Sequence, residues 1–427
     1  MSQQTPGFST LAVHAGSKPD PATGARITPI YQTTGYVFDD ADHAASLFGL
    51  KAFGNIYTRI MNPTQAVLEE RVAALEGGTA ALATASGHSA QHLIFHTIMR
   101  PGENFIAARK LYGGSINQFG HAFKNYGWEV RWADVDDIST FESQIDDKTR
   151  AVFIESLANP GGVFVDIEAI AKIAHKHGLP LIVDNTLATP YLVRPIEHGA
   201  DIIVHSLTKF IGGHGNSMGG IIVDGGTFDW SKSGNYPMLS EPRPEYGGIV
   251  LHETFGNFAF AIACRVLGLR DIGPAIAPQN AFLILTGSET LPLRMQRHCD
   301  NAQAVAEWLS KHPKVSWVSY PGLPGDKNNA LQKRYSPKGA GSVFTFGLKG
   351  GYDAGVKFVE ALELFSHLAN LGDTRSLVIH PASTTHRQLS DEQKIAAGAG
   401  PDVVRLSIGI EDAKDIIADL EQALAKA

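Results

Sequence analysis

The sequence predicts an α/β fold, a mostly parallel sheet with flanking helices, followed by a smaller C-terminal α+β domain. Three observations lead there. Short β-branched runs at 151–154 (AVFI), 181–183 (LIV), 202–204 (IIV) and 221–223 (IIV) read as strands buried on both faces. Between the first two, residues 167–177 place Ile167, Ile170, Ile173 and Ala174 on one face, with Asp166 at the N-cap, Gly178 as the stop and Pro180 beyond. That is the helix of a βαβ unit. Past Phe258 helix and strand patterns mix: a helix at 301–311, strands at 315–319 and 342–346, then amphipathic stretches at 352–364 and 412–425. Such mixing marks an α+β unit.

Taken in order, the chain begins with an N-terminal arm, 1–62, rich in turn-formers such as Ser17-Lys18-Pro19-Asp20-Pro21 and Thr28-Pro29-Ile30. With few long apolar runs it is expected to wrap another surface rather than fold alone. Residues 64–76 then read as a helix: Pro63 lies in its first turn, Val67, Leu68, Val72 and Leu75 give it an apolar face, and Gly77-Gly78 stops it. The main domain is expected over 63–258 and the C-terminal one over 259–427.

Composition narrows the classes of function. With 427 residues, 44% apolar and 19% charged, and 44 glycines without period, the chain can build a sizeable core. A net charge of -7 and a pI near 6.2 leave no basic excess to neutralise phosphates, so no nucleic-acid partner is expected. The two cysteines, Cys264 and Cys299, form no CxxC pair, which fits a reducing compartment. The polar first twenty residues lack a signal-type apolar core, and later apolar stretches are short or interrupted by Arg265 and Gly268. A cytoplasmic location without membrane attachment is therefore expected.

The chemistry concentrates between Asp184 and Lys209. Asp184 ends LIVD, and Lys209 follows DIIVHSLTK, in which Ser206 and Thr208 supply hydroxyls two residues apart. Ligands of open α/β sheets bind at this C-terminal edge of the strands. A lysine, hydroxyls and a carboxylate together suit pyridoxal 5'-phosphate (PLP): an amine for its aldehyde, donors for its phosphate, an anion for its ring nitrogen. By themselves they equally suit an Asp that caps a turn beside a surface lysine. Ala85-Ser86-Gly87-His88-Ser89 precedes a helical run at 90–99, so the amides of Gly87 and His88 would face out from a helix N-terminus, an anion site. An ordinary Ser-Gly helix cap is the plainer reading. His88, His92 and His96 recur every four residues, which also admits a metal-binding reading. No acidic base lies inside that repeat, and no metal is expected. Gly212-Gly213-His214-Gly215 invites a nucleotide loop, but Met218 stands where the last glycine of GxGxxG belongs.

A longer series of motifs runs in one order along the chain: NIYTRIMNPT (55–64), ASGHSA (85–90), LYGG (111–114), ESLANPGG (155–162), VDNTLATP (183–190), HSLTKFIGGHG (205–215), HPASTTH (380–386) and VRLSIGIED (404–412). On these the chain resembles the trans-sulfuration, or Cys/Met metabolism, family of fold-type I PLP-dependent transferases. The resemblance implies a homotetramer, a dimer of dimers with active sites between subunits. It implies that Lys209 carries PLP as a Schiff base and that Asp184 pairs with the pyridine nitrogen. Ser86, Ser206, Thr208 and the amides of Gly87 and His88 would hold the phosphate. Tyr57 and Arg59 would reach it from the neighbouring subunit, with Tyr57 also near substrate. Tyr112 would stack on the ring and assist proton transfer. Asn159 would lie near the ring hydroxyl and the substrate, with Glu155 in support. Arg405 would clamp the substrate carboxylate, helped by the backbone around Ser376.

Three departures narrow the activity. Gly114 stands where methionine γ-lyases carry cysteine, Arg375 stands where cystathionine-handling relatives carry glutamate, and the insertion at 232–256 resembles that of the O-acetylhomoserine sulfhydrylases. The expected reaction is γ-replacement: O-acetyl-L-homoserine and sulfide or methanethiol give L-homocysteine or L-methionine, and acetate. In it the freed Lys209 amine takes the α-proton and a second proton leaves the β-carbon. Acetate then departs from the γ-carbon and the thiol adds. Enzymes acting on O-succinylhomoserine, cystathionine or methionine are the near alternatives. A non-catalytic PLP-binding protein is the distant one, though such a relative would be expected to have lost Arg405 or Tyr112.

Overall fold

The computed structural model describes residues 6–427 except 160, 233, 386, 388, 389 and 397. Pro160 of the ESLANPGG motif, Ser233 of the insertion and His386 of HPASTTH thus lie outside the described residues.

Seven strands form the main sheet: β1 (Ala80–Thr84), β2 (Asn104–Ala108), β3 (Glu129–Ala133), β4 (Thr149–Glu155), β5 (Leu181–Asp184), β6 (Ile202–Ser206) and β7 (Gly220–Asp224). Their spatial order is β1-β7-β6-β5-β4-β2-β3. Neighbours from β6 to β3 pair in parallel, and β7 runs antiparallel to both β6 and β1. All four β-branched runs are strands of this sheet. Ile182, Val183, Ile202, Ile203 and Val204 are fully buried, as strands covered on both faces must be.

Local capping explains where the helices start. Asn62 accepts from the Thr64 amide at 2.9 Å, Pro63 takes the first position of helix Pro63–Glu76, and Gly77 ends it at φ +77°. Leu68, Val72 and Leu75 on this helix are fully buried, each contributing about 1.5–3 kcal/mol. The crossover helix spans Ile167–Lys176, with Asp166 accepting from the Ala169 amide at 3.1 Å. The helix expected from residue 90 begins at Gly87 instead, because Ser86 takes the N-cap and accepts from the Ser89 amide at 3.1 Å. Gly87 and His88 therefore become its first two residues.

The N-terminal arm holds two short helices the sequence did not announce, Phe8–His14 and Ala41–Phe48. The buried guanidinium of Arg71 fixes the first, donating to the carbonyls of Ala12 at 2.6 Å and Ala15 at 2.8 Å. It thereby satisfies carbonyls that a helix end leaves open.

A second sheet contains β8 (Val315–Ser319), β9 (Val343–Leu348), β10 (Ser366–His367), β11 (Leu377–Ile379) and β12 (Val403–Ser407), in the order β8-β9-β12-β11-β10. It packs with helices Gly351–Ala361 and Ala413–Lys426 around Phe344, Phe346, Phe358, Leu406, Ile416 and Leu420. The helix expected at 301–311 is far longer, Leu291–Leu309. Arg294 and His298 hid its first half, since both break the apolar pattern yet are buried on backbone carbonyls. Met295 and Cys299 of this helix join the main core, while Ala302, Val305 and Leu309 join the second. Residues between 259 and 299, among them Phe260, Cys264 and Ile284, pack with the main sheet.

The 232–256 insertion lies on the main core through buried Tyr236, Leu239, Tyr246 and Leu251. Hydrogen bonds from Tyr236 to the Arg150 carbonyl (2.9 Å) and from Tyr246 to that of Val266 (3.1 Å) anchor it.

Candidate active site

Three adjacent parallel strands bring polar residues to the same sheet edge: Glu155 ends β4, Asp184 ends β5 and Ser206 ends β6, with Glu155 opposite Asp184 in register. Past this edge opens a cavity of about 310 Å³. Ser86, Gly87, His88, Tyr112, Asn159, Asp184, Ser206, Thr208, Lys209 and Arg405 all line it. Residues up to 319 positions apart in sequence thus meet in one place, as the switch-point rule for open sheets requires.

The end of the helix at Gly87 presses on the sheet. A Cβ on Gly87 would lie 3.0 Å from Ser206 Cβ, and one on Gly220 would lie 2.0 Å from the Ser86 carbonyl oxygen. At Gly220 only glycine admits this approach, and at Gly87 a side chain would crowd Ser206; the close packing directs the first amides of the helix at the cavity. Thr208 is fixed by exchange with Gly219, accepting from its amide at 3.1 Å and donating to its carbonyl at 3.2 Å. The Ser206 amide donates to Thr186 Oγ1 at 2.9 Å.

Asp184 accepts from neutral donors, the Thr186 amide at 3.0 Å and Gln91 Nε2 at 3.4 Å. Burial pushes its carboxyl above the ordinary range, against those hydrogen bonds. Glu155 accepts from the amides of Tyr112 (2.6 Å) and Asn159 (3.0 Å), so one carboxylate ties together two cavity loops. Burial, and then the neighbouring Asp184, raise it well above a normal glutamate. Burial, and then the charge of Arg405, bring Lys209 down to about 8. Arg405 is itself pushed down to about 10 by burial. It donates to Asn159 Oδ1 at 3.4 Å and to the Asn370 carbonyl at 3.0 Å.

Tyr112 stands half-exposed over the cavity, its ring 5.9 Å from that of His88. Gly114 makes room for it, since a Cβ there would lie 2.4 Å from Tyr112 Cε1 and 2.9 Å from His88 Cε1. Burial lowers His88 below a normal histidine.

Four residues singled out from sequence, Ser376, Tyr57, Arg59 and Arg375, do not reach this cavity. Ser376 is buried, with its amide and hydroxyl bound to the Glu411 carboxylate at 2.6 and 3.0 Å. Its donors are thus already engaged. Tyr57 and Arg59 lie on the outside of the arm, the guanidinium 5.4 Å above the tyrosine ring and donating to the Arg270 carbonyl. Arg375 points to solvent and pairs with Asp373 at 3.0 Å. His92 and His96 pack against each other at 6.2 Å, and His92 against Tyr126 at 4.9 Å. Among the described residues no group of three or more His, Cys, Asp or Glu side chains is placed to hold a metal.

Sequence reasoning missed Gln91 and Asn370. Gln91 sits one helical turn after Gly87, the only hint of its place at Asp184. Asn370 follows no motif; its side-chain oxygen accepts from Lys209 Nζ.

A sheet edge that presents a half-buried lysine, a half-buried carboxylate hydrogen-bonded to neutral donors and a helix N-terminus has the groups the PLP-dependent class uses. The comparisons agree. The model of the Cys/Met metabolism PLP-dependent enzymes matches residues 9–425, and the chain belongs to that family. It is 54% identical to an O-acetyl-L-homoserine sulfhydrylase from Leptospira meyeri over 97% of this chain and 96% of that one. It is 52% identical to a homocysteine synthase from Schizosaccharomyces pombe, over 98% of each. A crystal structure from Campylobacter jejuni, of a protein described as an O-acetylhomoserine (thiol)-lyase with a pyridoxyl-lysine monophosphate, superposes with a TM-score of 0.95 at 41% identity, covering 98% of this chain and 99% of that one.

Proposed function

We propose that the chain is an O-acetylhomoserine sulfhydrylase, a PLP-dependent γ-replacement enzyme that makes L-homocysteine and acetate from O-acetyl-L-homoserine and sulfide. The observation that carries this reading is the meeting of Lys209, Asp184 and Arg405 in one cavity of a chain about half identical to such enzymes.

The donor set fits the cofactor. Asp184, hydrogen-bonded to neutral donors, suits a protonated ring nitrogen as its counter-ion. The amides of Gly87 and His88, with the hydroxyls of Ser86, Ser206 and Thr208, suit a phosphate. Lys209, with a lowered pKa, suits an aldehyde, which only the neutral amine attacks. When bound, PLP supplies an electron sink for charge released at the substrate α-carbon.

The remaining work falls to the chain. Arg405 receives the α-carboxylate, and Asn159 holds that guanidinium from one side. Lys209, once free, takes the α-proton and then moves the second proton from the β-carbon. Tyr112 packs over the reacting groups and assists the departure of acetate. Glu155 keeps the Tyr112 and Asn159 loops in register. Tyr57 and Arg59, which lie away from the cavity of their own chain, reach the phosphate of a neighbouring subunit in a homotetramer. Val37 (96% exposed) and Phe53 (72% exposed) on the same arm give a second copy apolar surface to cover. Among the described residues no helix is long and apolar enough to cross a membrane. The two cysteines are free and buried, which supports a cytoplasmic enzyme.

Product analysis tests the reading. Purified protein offered O-acetylhomoserine or O-succinylhomoserine, each with sulfide, methanethiol or cysteine, is expected to form homocysteine fastest from the acetyl ester and sulfide. Faster formation of cystathionine from the succinyl ester would overturn it.

A further inference from the structure

Asn370 stands on the C-terminal-domain side of the cavity, 161 residues from Lys209. Its side-chain oxygen accepts from Lys209 Nζ, and its main-chain carbonyl accepts from Arg405 Nη2 at 3.0 Å. One residue therefore binds both cations of the cavity. The packing fixes it there. Gly372 has φ +75°, and a Cβ on it would lie 2.8 Å from the Phe210 nitrogen and 3.2 Å from the Lys209 carbonyl carbon. The Thr374 amide donates to the Gly213 carbonyl at 2.9 Å, and the Gly372 amide to Ser407 Oγ at 3.0 Å. The 370–374 segment is thus laid directly on the turn that follows Lys209.

We infer that Asn370 is a positioning residue: it receives the Lys209 amine once substrate has released it, and it places that amine in fixed relation to the guanidinium that binds the substrate carboxylate. This rests on the roles proposed above for Lys209 and Arg405. The physical advantage is pre-organisation. An amine on a four-carbon stem loses rotamer freedom each time it must find the α-proton. An oxygen acceptor at a set distance from Arg405 removes that search. Arrival of a carboxylate also neutralises Arg405 and so lifts its repulsion from the amine. The amine then becomes a stronger base when substrate is in place.

Two substitutions of similar size test the contact with opposite signs. Asn370→Leu removes the acceptor, and Asn370→Asp replaces it with an anion. In the full chain freed of cofactor, Lys209 acylation by acetic anhydride is followed against pH by peptide mass. The midpoint is expected to move up for the Asp variant, with labelling at neutral pH roughly tenfold slower, because a nearby carboxylate favours the ammonium form. It is expected to move down for the Leu variant. In the holoenzyme, Asn370→Leu is expected to lower kcat roughly ten- to hundredfold with little change in KM, and the acid limb of the kcat profile is expected to rise in Asn370→Asp. If both variants lose activity while the Lys209 midpoint stays put, Asn370 is structural only and the inference is overturned. If Lys209→Ala itself retains turnover, it is the underlying reading of the site that fails.

Discussion

At the residue scale, the cavity places two cations close together, and that arrangement has a measurable consequence. Lys209 titrates near 8 in the cofactor-free fold against an ordinary lysine near 10.5. The unfolded chain therefore binds more protons than the folded one between those values. The penalty on folding is fully present below about pH 8 and fades as pH rises toward 10.5. Lys209→Met is accordingly expected to raise the Tm of the cofactor-free protein at pH 7, with the gain shrinking above pH 9; a gain independent of pH would contradict the assignment. Arg405→Lys keeps the charge but loses the planar fork. It is expected to raise KM for O-acetylhomoserine roughly tenfold or more, and an unchanged KM would remove Arg405 from the substrate. Gly114→Ala would drive a methyl into the Tyr112 ring. A fall in kcat of roughly tenfold or more, without loss of Tm, is expected.

Legibility from sequence divides at this same scale. Asp184 and Lys209 could be read because each follows a buried strand within a few residues, so local pattern carries spatial meaning. Asn370 and Gln91 could not, because their contacts with Lys209 and Asp184 span 161 and 93 residues, the first across the two domains and the second between a helix and a strand of the main one. Ser376 shows the reverse. The resemblance set the backbone around Ser376 beside the substrate carboxylate, but Glu411, 35 residues later, takes both the Ser376 amide and its hydroxyl.

At the scale of elements, periodicity located the strands and the crossover helix, while caps decided where helices begin. Ser86 moved one helix start by a single turn, and that turn is what presents Gly87 and His88 at their free amides. The close approach of this helix to β6 depends on the missing side chain of Gly87. Gly87→Ala is expected to separate the helix from Ser206 and weaken cofactor retention, measured by equilibrium dialysis. Unaltered retention would mean that the phosphate lies elsewhere. The helix Leu291–Leu309 escaped detection in its first half because hydrogen bonds to carbonyls, rather than apolar character, bury Arg294 and His298. Buried polar residues of this kind break the pattern that sequence reading relies on.

At the scale of the whole molecule, that helix serves two cores at once, through Met295 and Cys299 on one side and Val305 and Leu309 on the other. Since neither core is complete without it, the two are expected to melt together. Far-ultraviolet circular dichroism and tryptophan fluorescence should then give one coincident transition, whereas two separated transitions would contradict the shared helix. The arm poses a different question, because Tyr57 and Arg59 lie outside the cavity of their own chain. If they complete the site of a neighbour, mixing inactive Arg59→Ala and Lys209→Ala subunits after dissociation should regenerate activity in hybrids. The role of Lys209 as the cofactor-bearing lysine is put to the test by Lys209→Ala assayed with O-acetylhomoserine and sulfide. A folded protein that forms no homocysteine and lacks the visible absorbance of lysine-bound cofactor is expected; a variant that keeps turnover and that absorbance would remove Lys209 from the chemistry.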